Sequence, residues 1–500
     1  MEIWDFSSYV SLIDLFDDVA GRSPDAIAVV DADESATYRV LKERSEQIAR
    51  LLAEHGNQRG KLIGLRVGRN VETVASILGI LRSGAAYVPL DPSYPPERLQ
   101  FMLEDAGARL VLDSSGSELV TQIQGRGREV GDFGDVQLAY VAYTSGSTGR
   151  PKGCAITQDN VLAFLSGTIP LFDLTGDDRW TVFHSLSFDA SVWELWGALA
   201  TGATAYLVPS EAMVNPTKFV KLVASAGITV VSLVTSYFKF VLEAYRGSAN
   251  RASGLRHLFF VGEAIRLDLI RTYLSIPEVA GVVCANMYGP TETTVFASYK
   301  VISLKDTEEG SRSPIGVALL HAEMSIRDES GLELEPGEVG EIVIGGLTVG
   351  HGYLHQDSLT RERFPMLDGR RTYRTGDLGR QLPNGEFEFL GRIDQQIKRR
   401  GFRIEIEEIE QILREDDSVD DAVVCVCLAG AAEYLVACVV PRDADDALVN
   451  RLKSKAKARL PAVMCPDRYL FMSELPYNAS GKLDRRAVHA YAQETLAGAT

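Results

Sequence analysis

The sequence predicts an α/β fold: a large N-terminal domain of two βαβ-built subdomains plus a small β-subdomain, followed by a small α+β C-terminal domain. Residues from about 10 to 135 alternate helical patterns (VLKERSEQIARLLAEHG) with short apolar runs (KLIGLRV, RLVLD). That alternation is the mark of βαβ units on a largely parallel sheet. A second block, from about 140 to 310, repeats it with ALATGATAYLVP and ITVVSLV. From about 315 to 390, Gly-rich β-like segments take over (GEVGEIVIGGL, GEFEFLGRI).

Near Asp394 the texture changes. The run DQQIKRRGFRIEIEEIEQILRE starts as a basic turn and becomes an amphipathic acidic helix. Strand candidates DDAVVCVCL and EYLVACVV, a helix LVNRLKSKAKARL and a polar loop with Lys482 complete a compact domain. The expected division is residues 1–392 and 393–500.

Size and composition agree with this plan. Five hundred residues exceed what one core organises, so at least two domains are expected. No uninterrupted apolar run approaches the ~18 residues of a membrane span. The N-terminus carries acidic residues and no basic start before an apolar run, unlike a secretory signal. A net charge of −17 argues against nucleic acid as the main ligand. The six cysteines form no CxxC pair; Cys425 and Cys427 alternate in AVVCVCL and share a strand face. They read as buried free thiols rather than a metal site, in a reduced, cytoplasmic chain.

The stretch with most chemical content is YTSGSTGRPK, Tyr143–Lys152. Main-chain N–H groups freed by Gly146 and Gly149, with the hydroxyls of Thr144, Ser145, Ser147 and Thr148, can form a nest of donors around phosphate oxygens. Lys152 supplies charge, and Pro151 stiffens the exit. The spacing differs from GxxxxGK[ST], so this is not the loop of P-loop NTPases.

Further motifs follow in order: ILRSGAAYVPLDPSYPPERL from Ile80, FDASVWE from Phe188, NMYGPTETT from Asn286, YRTGD from Tyr373, GRIDQQIKRRGFRIEIEEIE from Gly391 and NASGKLDRR from Asn478. With the phosphate loop, the chain resembles the adenylate-forming superfamily, specifically the amino-acid adenylation domains of nonribosomal peptide synthesis, from about residue 10 to 490. The resemblance implies two half-reactions. A carboxylate attacks the α-phosphate of ATP, giving an acyl-adenylate and pyrophosphate; a phosphopantetheine thiol then takes the acyl group as a thioester. The first step brings two anions together, so catalysis must neutralise charge and align groups.

By position in the matching motifs, the resemblance implies the following roles. Thr144, Ser145, Gly146, Ser147, Thr148, Gly149 and Lys152 hold the β- and γ-phosphates, and Glu292 is the Mg2+ ligand. Asn286 and Tyr288 contact adenine, Gly262 lets the backbone approach the base, and Gly289 and Thr291 belong to the same nucleotide loop. Asp377 takes both ribose hydroxyls, with Arg392 as a second ribose contact. Lys482 bridges the substrate carboxylate and the α-phosphate, and is counted with Thr148 and Glu292 as catalytic. The C-terminal domain of this family is mobile: Asp394 occupies the hinge, and Gly401 lines the pantetheine tunnel beside Lys398.

The same resemblance points Asp189 at the ammonium of an amino acid, since acid-activating members without an amine usually lack this carboxylate. A competing role is capping the helix begun by SVWELWGAL. Ala190, Trp193, Ser236, Phe259, Val261, Met287, Val295 and Phe296 complete the pocket, with register weakest at Ser236. This apolar lining excludes charged side chains and favours a small or medium, uncharged one. D-alanine, another small aliphatic residue and a β-amino acid all remain open. Relatives commonly carry His where this chain has Gln158, a departure expected to touch helix packing only.

No LGGxS-type site follows NASGKLDRR, so the expectation is a stand-alone enzyme loading a discrete carrier protein, with a small helper protein as an open question. An acyl- or aryl-CoA ligase of the same fold is the rival, against which Asp189 and YVPLDPSYPPERL count. A silent binding module would be expected to lack Lys482, Asp377 or Glu292, and all three are present. Lys482→Ala is expected to cut adenylate formation by about two orders of magnitude or more, in the range of removing one charge-stabilising group. Thioester formation from supplied adenylate should stay near wild type; equal loss of both half-reactions would refute this division of labour.

Overall fold

The computed structural model describes residues 6–113, 119–120, 136–146, 150–248, 254–308, 313–399, 401–429, 432–442, 447–476 and 483–498. The chain forms two compact units. One comprises Met1–Asp91, Leu103–Ala142 and Gly153–Asp394; the other comprises Pro92–Met102, Tyr143–Lys152 and Gln395–Thr500. Among the described residues, no helix is long and apolar enough to cross a membrane.

The first unit is built on two sheets. In the smaller, Ala86–Leu90 and Val111–Asp113 flank Leu62–Arg66 in parallel. In the larger, Ile27–Val30, Thr204–Leu207, Arg179–Val182, Val230–Leu233, His257–Phe260 and Val283–Tyr288 lie side by side in parallel. Beyond Val283–Tyr288 the larger sheet turns antiparallel through Ser298–Val301, Pro314–Ala318, Phe387–Arg392, Arg370–Gln381, Gly340–Gly346 and Ala322–Arg327. The βαβ alternation seen in the sequence is therefore real, but its two blocks do not map one to one onto the sheets. Ile27–Val30 pairs with Thr204–Leu207, a partner far along the chain, while Leu138–Thr144 and Lys152–Thr157 join the smaller sheet. The Gly-rich β segment is hydrogen-bonded into the same large sheet rather than standing apart.

Burial explains the choice of residues. The parallel strands are covered on both faces, so they read as continuous apolar runs: HLFF at His257–Phe260 and VVSL at Val230–Leu233 are buried throughout. Trp180, Trp193 and Trp196 are fully buried among them. Helix Gln158–Thr168 opens with a reciprocal capping box between Thr157 and Asn160. The buried Gln158 side chain accepts the Leu12 N–H at 2.9 Å, tying down helix Leu12–Arg22. The departure at Gln158 is thus a packing contact.

The C-terminal part of the second unit is α+β. A hairpin of Ile397–Arg399 and Phe402–Ile404 turns at Gly401, whose φ of +81° favours glycine. Helix Ile406–Arg414 then packs on a sheet of Val419–Ala429, Ala432–Pro441 and Arg468–Phe471. Cys425 and Cys427 lie on one face of that sheet, buried and 3.7 Å apart as free thiols. Two upstream segments belong to this unit through specific bonds. Arg98 and Glu408 form a buried ion pair at 2.7 Å, and the Ser145 hydroxyl bonds to the backbone of Arg403 and Glu405.

One glycine is demanded by close approach. A Cβ on Gly289 would sit 2.6 Å from the Phe296 Cα and 2.7 Å from the Val295 carbonyl oxygen, because the chain doubles back and Ala297 N–H bonds to Tyr288 C=O at 2.7 Å. The return carries Thr294 and Val295 at φ of +60° and +69°, a strained conformation for β-branched residues. Gly289→Ala is expected to destabilise the protein by about 1–3 kcal/mol through overpacking against backbone. Urea unfolding checks this, and an unchanged midpoint would show that the return loop yields freely.

Candidate active site

Asp189 is positioned from both sides by the first unit. Strand Arg179–Val182 ends in a loop whose backbone is clamped twice. The Arg69 guanidinium donates to the carbonyls of Val182, Phe183, His184 and Val208 at 2.6 to 3.1 Å. The fully buried Glu194 accepts from the N–H groups of Phe183 and His184, at 3.0 Å each, and pairs with His184 Nδ1 at 2.9 Å. Helix Ala190–Thr201 follows, with Asp189 at its N-cap position but in helical φ and ψ and without a side-chain capping bond. The capping role is therefore not the one its geometry serves.

The Thr291 hydroxyl and the Ala190 N–H lie near the Asp189 carboxylate. Burial pushes its carboxyl above the ordinary value, and the charge of Glu292 adds to this; the nearby Thr291 hydroxyl, Ala190 N–H and His184 oppose it. No Lys or Arg among the described residues forms an ion pair with it. An incompletely compensated carboxylate of this kind is costly to leave charged.

Trp193, Phe259, Val261, Met287, Val295 and Phe296 are buried in one apolar cluster, against which Ala190, the residue after Asp189, packs. Trp193 meets Trp180, Phe259, Phe164 and Phe296 edge to face, with centroids 4.9, 5.5, 5.7 and 6.3 Å away. Its Nε1–H is buried without a partner. Ala190 is half-buried. Ser236 lies apart from this set: it is exposed, its hydroxyl donating to Glu263 Oε1 at 2.9 Å and its N–H to Oε2 at 2.8 Å. Glu263 thereby caps helix Thr235–Gly247, which has no cap of its own. The neighbouring Thr235 is the buried one, with an unpartnered hydroxyl.

A second cluster gathers on the antiparallel strands. Asp377 accepts from the Tyr288 hydroxyl at 2.7 Å on one oxygen and from Arg392 Nη1 on the other. Arg392 continues as a fork to Asp394, with both bonds at 2.6 Å. Burial pushes the Tyr288 phenol well above its ordinary value, and Asp377 adds to it, so the hydroxyl remains a donor. The amide of Asn286, buried on the strand before Tyr288, donates to the Pro314 carbonyl at 2.7 Å. Gly262 directly follows Val261, at the end of His257–Phe260.

Glu292 is fully buried in a short turn, Thr291–Thr293, and accepts from the Tyr353 hydroxyl at 2.6 Å. Tyr353 touches the Tyr373 hydroxyl at 3.3 Å. No group of three or more His, Cys, Asp or Glu among the described residues could hold a metal. A cation at Glu292 would thus take one carboxylate from the protein and the rest from substrate and water, which is how magnesium is commonly held.

In the second unit, Thr144 ends strand Leu138–Thr144 with its hydroxyl buried and without a partner among the described residues, while Gly146 and Lys152 are buried. An orphan hydroxyl donor fits a phosphate oxygen. Ser147, Thr148, Gly149 and Lys482 lie outside the described residues. Arg69 and Tyr353 lie outside the sequence motifs, and Glu194 and Tyr373, though inside FDASVWE and YRTGD, were given no role there, since no local pattern marks a residue that acts through contacts distant in the chain.

Comparison with known proteins agrees with this geometry. The AMP-binding enzyme family matches residues 16–354, and the AMP-binding enzyme C-terminal domain matches 408–482. A dimodular nonribosomal peptide synthase of Bacillus subtilis (strain 168) is 34% identical over 514 residues, covering 96% of this chain and 22% of that protein. Syringomycin synthase SyrB1 of Pseudomonas syringae pv. syringae is 35% identical over 510 residues, covering 98% and 83%. The chain spans about a fifth or less of the large synthetases it matches. Among solved structures, holo-PA1221, an NRPS protein containing adenylation and PCP domains, superimposes with a TM-score of 0.83 at 29% identity, covering 98% of this chain and 85% of that one. The chain accordingly belongs to the AMP-binding enzymes, as an adenylate-forming ligase of the nonribosomal peptide synthetase adenylation type.

Proposed function

We propose that this enzyme activates a small or medium, uncharged amino acid as its aminoacyl-adenylate and passes it to the phosphopantetheine thiol of a carrier protein. The observation that carries the reading is the place of Asp189: it stands at the head of the helix that carries Trp193, near Thr291 and without a Lys or Arg ion pair among the described residues, and burial disfavours its charge. A substrate ammonium would complete it, and the apolar set around Trp193, with Ala190 at its edge, would take an uncharged side chain. A carboxylic acid without an amine would leave that charge unmatched. Ser236, tied to Glu263, would contribute at most the rim.

In this reading one substrate carboxylate oxygen forms a bond to the α-phosphorus of ATP, and the bond from that phosphorus to the oxygen bridging to the β-phosphate breaks, releasing pyrophosphate. The thiol sulfur then attacks the acyl carbon, AMP departs with the acyl oxygen, and the thiol proton goes to solvent. The residues position and neutralise. Asp377 has used one lone pair on each oxygen, leaving acceptors for two ribose hydroxyls. Tyr288 offers its ring to adenine, and Asn286 keeps an acceptor and one N–H for the base edge. Thr144, Ser145 and Lys152, with Ser147, Thr148 and Gly149, would cradle the β- and γ-phosphates. Lys482 would bridge the two reacting anions. Glu292 would hold magnesium, which when bound neutralises phosphate charge.

ATP–pyrophosphate exchange with L-, D- and β-amino acids alongside fatty and aryl acids tests the proposal. Exchange is expected with one or a few uncharged amino acids, and to fall by about 100-fold or more in Asp189→Ala, as for loss of a buried charge pair. Exchange confined to amine-free acids would overturn it. Asp189 also has a stability signature. A carboxyl whose pKa is raised on folding gives stability that is complete in acid and is lost as pH rises through the folded value. Asp189→Asn should therefore be more stable than wild type at neutral pH, by about 1 kcal/mol. In urea titrations the gain should shrink as pH falls toward the acid range, and a pH-independent difference would exclude titration of Asp189 as its cause.

A further inference from the structure

Ser145 is buried in the second unit, and its hydroxyl is fully committed there. It donates to the carbonyl of Arg403 at 2.9 Å and accepts from the N–H of Glu405 at 3.0 Å. These residues carry strand Phe402–Ile404 into helix Ile406–Arg414, whose first residue follows Glu405 without a side-chain capping bond. The Ser145 oxygen is thus the acceptor that meets the backbone N–H where this helix begins. A separate tie, the Arg98–Glu408 ion pair, holds the first turn of the same helix and involves no residue of the phosphate loop.

A serine hydroxyl has a single hydrogen. While that hydrogen lies on the Arg403 carbonyl it cannot be given to a phosphate oxygen. We propose that Ser145 is a positioning residue for the thioester half-reaction: its hydroxyl hydrogen bond is exchanged between pyrophosphate and the Arg403 carbonyl, so that residues 403–405 seat only after pyrophosphate has gone. The inference rests on the activity proposed above, in which the same loop holds the β- and γ-phosphates. It adds a cause for the order of the two half-reactions. The group that grips the leaving pyrophosphate is the group the backbone at Arg403–Glu405 requires, so the departure of one permits the other. Because both partners at 403–405 are main-chain atoms, changing those side chains would leave the contact intact. The test falls on Ser145.

Amide hydrogen exchange at Glu405 reads the contact directly and needs no amino acid. In the wild-type chain inorganic pyrophosphate should speed exchange of the Glu405 N–H about fivefold, the weight of one net hydrogen bond. In Ser145→Ala that exchange should be fast with or without pyrophosphate, and Ser145→Thr, which keeps the hydroxyl, should restore the wild-type response. Protection of the Val423 and Ala437 amides within the strands of the same unit reports that the variants are folded. In parallel, transfer from a chemically prepared aminoacyl-adenylate to pantetheine should slow about fivefold in Ser145→Ala and recover in Ser145→Thr. Methylenediphosphonate should inhibit the wild-type transfer but not that of Ser145→Ala. Unchanged Glu405 exchange in Ser145→Ala, or no response to pyrophosphate in wild type, would overturn the inference. Absence of transfer by the wild-type enzyme from any aminoacyl-adenylate would instead overturn the activity, leaving the exchange result to judge Ser145 alone.

Discussion

Charge burial is the constraint around which the first unit is arranged. Three carboxylates, Asp189, Glu292 and Asp377, sit in surroundings where an uncompensated charge costs several kcal/mol. Each is settled differently. Glu292 accepts from the Tyr353 phenol. Asp377 is shared between the Tyr288 phenol and the Arg392 guanidinium, which passes on to Asp394. Asp189 has the Thr291 hydroxyl and the Ala190 N–H near it but no Lys or Arg ion pair among the described residues, and the charge of Glu292 makes its ionisation harder still. The asymmetry sets Asp189 apart from the other two.

Holding that arrangement takes effort elsewhere in the fold. The four carbonyls gripped by Arg69 and the three donors gathered by Glu194 fix the loop that delivers Asp189. On the opposite approach, the return after Tyr288 is tight enough to require Gly289 and to force Thr294 and Val295 into left-handed backbone. Strain of this kind persists only where surrounding packing over-determines it. Here it presses Val295 and Phe296 into the same buried set as Trp193.

The second unit shows how a short polar loop acquires more than one use. Ser145 follows the strand that ends at Thr144, and its hydroxyl meets the backbone of Arg403 and Glu405. Phosphate loops are usually discussed as anion cradles, in which every donor faces the ligand. In this protein one hydroxyl of the loop, that of Ser145, has a protein acceptor in reach instead.

The sequence by itself determined the α/β class and the order of motifs, because periodicity, glycine placement and motif spacing are local properties of the chain. Asp377 and Arg392 each stood in a sequence motif, though nothing local marked them as direct partners. Tertiary structure alone decided that Ile27–Val30 crosses to Thr204–Leu207, that Ser236 is spent on Glu263, and that Tyr353 guards Glu292. It also decided that Pro92–Met102 and Tyr143–Lys152 associate with residues beyond Asp394. Such pairings join residues tens to hundreds of positions apart; their energy comes from burying a charge or a hydroxyl together, and no local pattern records which distant group will share the burial.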